Sequence, residues 1–97
     1  MGVLAMIEID GDPRLIAAAI AELERLLPPA PGLLARIVAP TDDGMILVQL
    51  WESPAARQAN ADDPDHRDAL RASGMIDAMT ATRSRVFDAA QLTLPSL

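Results

Sequence analysis

Three times in this chain a residue that can cap a helix is followed directly by proline: Asp12-Pro13, Ser53-Pro54 and Asp63-Pro64. The Asp or Ser side chain satisfies a free amide of the first turn, and proline suits the first helical position because an N–H there would have no partner within the helix. These pairs fix where helices begin, and the stretches between them must supply the rest of the fold. After Asp12, the residues Leu15, Ile16, Ala19, Ile20, Leu23, Leu26 and Leu27 recur at helical spacing, which predicts a helix from about Pro13 to Leu27. "PPAPG" at 28–32 stops it, because successive prolines cannot continue the hydrogen-bond ladder.

The stretches outside the helices read as strands. "VLAMIEI" (3–9) is a short apolar run ended by the turn signal "DGDP". "LLARIVAP" (33–40) and "MILVQLWE" (45–52) are joined by "TDDG", hairpin chemistry with Gly44 available for a positive φ. The second helix opens at Ser53, breaks, and restarts at Asp63, with Gly74 as its C-terminal stop. "TRSRVFDAAQLTL" (82–94) reads as the last strand. The order βαββαβ predicts one α+β domain over residues 1–97, a ferredoxin-like four-stranded antiparallel sheet with its helices on one face.

That arrangement leaves a sheet face open. Ile46, Val48 and Leu50 alternate with Leu47 and Trp51, so the run 45–52 is apolar on both sides. With 51% hydrophobic residues and a mean hydropathy of +0.19, a 97-residue domain has more apolar surface than it hides easily. A homodimer closed through the open sheet face is the expectation. A membrane is not, since "LIAAAIAEL" is bracketed by charge and far short of the roughly 20 residues a span needs. Nothing reads as a signal peptide, so a cytoplasmic location is expected by default. The net charge of −6, with acids spread along the chain, argues against a nucleic-acid surface.

No cofactor or metal is expected either. The chain has no cysteine and one histidine, which excludes a thiolate site and a histidine cluster, and Asp62, Asp63 and Asp65 read as helix-capping residues. Trp51 has two readings, a stacking platform for a planar ligand or core packing at a strand end. His66, after Asp65 in the first turn of the restarted helix, reads as a solvated ring or as a site residue. Arg36, Arg83 and Arg85 lie within predicted strands, where a guanidinium needs a carboxylate, a ligand anion or the solvent at the sheet rim. Glu8, on the first strand, is the obvious carboxylate.

The stretch "DGMILVQLWESPAARQANADDPDHRDAL" resembles the strand, "WES" joint and broken helix of the antibiotic-biosynthesis monooxygenase family. The likeness extends back through "PGLLARIVAPTDDG" and covers about nine tenths of the chain. It implies a dimeric α/β barrel whose two sheets pack face to face, with a small-molecule cavity between each sheet and its own helices. In the branch of the family that oxidises polycyclic phenols with O₂ and no cofactor, the motif's Trp falls on Trp51 and a helical Arg on Arg67. An Asn of that branch is replaced by Leu47 and a Tyr by Arg57. In the branch that modifies quinols and autoinducers, one His falls on Asn60 and a second lies one position from His66. The resemblance implies catalytic roles for Arg67, steadying a developing anion, and Trp51, shaping the pocket. Gln49, Leu47, Asn60, His66 and Arg36 are the candidate ligand contacts. The function it implies is binding of a small hydrophobic or aromatic molecule and its oxidation with O₂. The replaced Asn and Tyr leave open a non-catalytic dimeric binding or assembly module of the same fold. Heme degradation would need an axial histidine with motif support, which His66 lacks.

Overall fold

A computed structural model describes residues 2–91 and residue 93. The strands are β1 (Val3–Gly11), β2 (Leu33–Thr41), β3 (Gly44–Trp51) and β4 (Met79–Asp88); the helices are α1 (Pro13–Leu26), α2 (Pro54–Asp62), α3 (Pro64–Ala72) and α4 (Met75–Ala78). The strands form one antiparallel sheet in the order β2-β3-β1-β4. This is the ferredoxin-like α+β arrangement that the order of the elements predicts. No helix among the described residues is long and apolar enough to cross a membrane.

All three cap-proline pairs start helices. Asp12 accepts the Arg14 amide at 2.9 Å, Ser53 accepts that of Ala56 at 3.0 Å, and Asp63 accepts that of Asp65 at 2.9 Å. Asp63 does two jobs, since it also ends α2, with its own amide donating to the Asn60 carbonyl at 3.3 Å. One residue therefore closes one helix and opens the next. Gly74 has φ +84°, the left-handed conformation that stops α3.

Two local expectations are corrected. Gly44 does not have a positive φ; it lies in β3, where a Cβ would sit 1.8 Å from the Ile9 carbonyl oxygen. Glycine is needed there for the close approach of β1, and Asp42 and Asp43 make the turn. The last strand starts at Met79 and ends at Asp88, earlier at both ends than 82–94. The short helix α4 leads straight into it, and residues 92 and 94 of that expectation lie outside the described residues.

Strand alternation sorts the sheet into two faces. Val3, Ala5, Ile7 and Ile9 of β1 and Met45, Leu47, Gln49 and Trp51 of β3 pair across the register on the helix side. The apolar interior on that side is two clusters, one around Ile9, Ile16, Ile20 and Leu47, the other around Val3, Ala5 and Trp51. On the opposite side, Ile46 and Val48 are half-buried, and Leu50 is only 7% exposed. Ile37 (61%) and Phe87 (41%) are the exposed large hydrophobic residues of β2 and β4 on that face. The reason is position in the sheet, since β3 is flanked on both sides whereas β2 and β4 are edges.

The strand arginines separate as well. Arg83, opposite Glu8 in the register, binds Glu8 and Asp10 at 2.9–3.3 Å on the open face. Arg85 lies over the Phe87 ring, 5.1 Å from its centre. Arg36 takes neither partner and pairs with Glu24 of α1.

Candidate functional site

A cavity of about 610 Å³ lies between the sheet and the helices. Small-molecule sites run from roughly 300 to 1,000 Å³. Its floor is the helix side of the sheet, with Ile7 and Ile9 from β1, Leu47, Gln49 and Trp51 from β3, and Arg36 from β2. Along α1, Ile20, Leu23 and Glu24 form one wall, continued by Pro28 and Pro29 of the proline-rich loop. Arg57, Asn60 and Ala61 of α2 stand three and four residues apart, on one helical face, and close a second side. His66 and Leu70 of α3, again four apart, complete it. The break at Asp63 is what lets α2 and α3 each turn an edge towards the same space.

The walls are largely apolar, so the few polar groups decide what the cavity can hold. Trp51, 1% exposed, packs against Val3, Ala5, Leu33 and Ala56. Its indole N–H donates to Gln49 Oε1 at 3.1 Å. An indole can only donate, so the atom it meets must be the amide oxygen, and the Gln49 NH₂ group remains as a donor. His66 lines the cavity, yet its Nδ1 is shut off from solvent and has no hydrogen-bond partner among the described residues. His66 thus adds an imidazole to the lining of the cavity.

Two guanidinium groups stand at the cavity. Arg36 is hydrogen-bonded to Glu24, so its charge is compensated inside the site. Arg57, half-buried, has no carboxylate partner among the described residues. Asn60 adds an amide able to donate or accept. Among the described residues, no three carboxylate or histidine side chains gather where they could hold a metal ion.

Of the residues singled out from the sequence, Trp51, Gln49, Leu47, Asn60, His66 and Arg36 all line this one cavity. Arg67 does not. Its side chain is 59% exposed and reaches Asp62 at 3.7 Å. Successive helical residues point about 100° apart, so with His66 turned inward Arg67 is carried round to the outside. His66 itself is half-buried rather than solvated. Arg57 and Glu24 were not among the sequence candidates. For Arg57 the signal was present, three residues before Asn60 in a helix whose start Ser53 fixes.

The fold is shared with proteins of known structure. The chain superposes on the ActVA-Orf6 monooxygenase of Streptomyces coelicolor, solved in complex with nanaomycin D, with a TM-score of 0.71 and 20% identity over 98% of this chain and 93% of that one. It matches a variant of SnoaB, a cofactor-independent oxygenase from Streptomyces nogalater, with a TM-score of 0.72 and 17% identity over 99% and 100% of the two chains. A dimeric ferredoxin-like protein of unknown function from Thermobifida fusca gives 0.69 and 20% identity over 92% of each. These neighbours have the fold of the antibiotic-biosynthesis monooxygenase-like proteins that the "WES" stretch resembles. No family model matches the chain, and no curated protein matches it.

Proposed function

We propose that this protein is a homodimer that binds a flat, apolar small molecule in the cavity above Gln49 and Trp51 and oxidises a phenol or quinol with O₂ without a cofactor. The observation that carries this reading is the cavity itself: the space beside Trp51 is open, where packed Leu and Ile side chains would have left only a core. Gln49, Leu47, Asn60, His66 and Arg36 contact the ligand, and Trp51 shapes its seat. Arg67, outside the cavity, gives up the anion-steadying role to donors within it.

Oxidation without a cofactor requires the substrate itself to become electron-rich. The Gln49 amide donates to the phenolic oxygen, and hydrogen bonds of this kind favour its anion. The anion gives electrons to O₂; one oxygen atom enters the ring to make the quinone and the other leaves as water. Leu47 supplies no donor at the position where the resembling oxygenases have an amide. That substitution favours the second reading, a binding module that holds its ligand without turnover.

The test is calorimetric titration with 1-naphthol, run beside an oxygen electrode. Binding to the native protein and its loss in Leu70→Trp, which fills the cavity, is the expected outcome. No binding, or binding indifferent to Leu70→Trp, removes the cavity as the site. Uptake of one O₂ per naphthol consumed separates the oxygenase from the binding module.

A further inference from the structure

Among the polar groups of the cavity are the Gln49 amide and two guanidiniums, all able to donate. The Gln49 oxygen accepts from the Trp51 indole, which leaves its NH₂ group to donate, and His66 adds an imidazole. Arg36 and Glu24 neutralise one another. The remaining charge is Arg57, a half-buried guanidinium on the cavity face of α2 with no ion pair among the described residues. In a chain whose net charge is −6, carboxylates are abundant, yet none is brought to this one. A guanidinium held against apolar walls without a partner loses hydration and gains nothing in return until an anion arrives.

We infer that the ligand of this cavity is an aromatic monocarboxylate, with Arg57 binding its carboxylate and the Leu47, Gln49 and Trp51 floor receiving its ring. The inference rests on the ligand-binding reading above and narrows it to a substrate class. One uncompensated cation balances one negative charge, which favours a carboxylate over a phosphate dianion. The two oxygens of a carboxylate match the planar fork of a guanidinium, and such pairs are among the stronger hydrogen bonds in proteins. The ring oxygen of the same ligand remains for the Gln49 NH₂ group. Arg57 is thus a specificity-determining residue that acts by binding.

The experiment compares 2-naphthoate with 2-naphthamide, the same ring with and without the charge, by calorimetry on the full chain at pH 7. The native protein should bind the acid about tenfold or more tightly than the amide, the scale of a charged hydrogen bond. Arg57→Gln should erase that preference, the acid losing far more affinity than the amide. Arg57→Lys, which keeps the charge and loses the fork, should retain part of it. Equal binding of the two probes, or an acid preference that survives Arg57→Gln, overturns the inference and leaves the cavity reading standing. Failure of 2-naphthamide, 2-naphthoate and 1-naphthol alike to bind overturns both.

Discussion

The indole N–H of Trp51 donates to the side-chain oxygen of Gln49, two residues earlier on the same face of β3. The contact ties a fully buried ring to the floor of the cavity and sets which end of the amide a ligand meets. Trp51→Phe should leave the Gln49 oxygen without its donor and cost about 1–3 kcal/mol. Trp51→Ala should cost about 3–5 kcal/mol, as large-to-small core changes do. Urea unfolding followed by far-ultraviolet circular dichroism measures both, and a Trp51→Phe variant as stable as the native protein would show that the hydrogen bond contributes nothing beyond packing.

Asp63 joins α2 to α3, and its carboxylate caps the second of them. Asp63→Ala should lower stability by about 1 kcal/mol, within the usual range for loss of an N-cap. Because His66 stands in the first turn of α3, the variant should also weaken 1-naphthol binding. Asp63→Ser, which restores a capping oxygen, should recover most of both effects in the same denaturation and calorimetry experiments.

Ile37 is 61% exposed on the sheet face that carries no helix. If that face closes a homodimer, Ile37→Glu should dissociate it, since a carboxylate would be buried at the contact without a partner. Sedimentation velocity at low micromolar concentration should then give a dimer for the native chain and a folded monomer for the variant. A native chain that sediments as a monomer removes the dimer from the proposal.

Hydrogen bonds from Arg25 hold the Glu22 carboxyl below its ordinary value of 4.5. A carboxyl depressed in the folded state stabilises the fold fully above the unfolded value, and that contribution disappears as pH falls through the folded one. The melting-temperature difference between the native protein and Glu22→Gln should therefore shrink from pH 6 to pH 3. The pair is exposed, so the difference should be small and should diminish with added salt. A difference that is constant across this pH range would show that the pair does not contribute.

Much of the fold was legible because the chain marks its own boundaries. Asp12, Ser53 and Asp63 each combine a capping oxygen with a following proline, and all three begin helices where they stand. The end of the last strand was less legible, since nothing in "AAQLTL" breaks a strand as proline breaks a helix. Gly44 misled for a different reason: a glycine in a turn sequence and a glycine under a neighbouring carbonyl look alike until the register of β1 and β3 is known.

The site was legible by strand and less so by helix. Leu47, Gln49 and Trp51 share a face by simple alternation, and the cavity lies on it. On α3 the choice between His66 and Arg67 depends on helix rotation, which a nine-residue polar segment with one buried residue, Ala69, barely specifies. The pairing of Arg36 with Glu24 joins a strand to a helix twelve residues away, a contact that no local pattern encodes.

Strand β3 carries the cavity floor on one side and Ile46, Val48 and Leu50 on the other, in strict alternation. Backbone that moves to admit a ligand at Gln49 must carry Val48 and Leu50 with it. In a dimer closed through that second face, occupancy and assembly become linked equilibria, and the linkage is reciprocal. A ligand that tightens the dimer would be bound more tightly by the dimer than by the monomer, so its apparent affinity would rise with protein concentration even though the two cavities share no atoms.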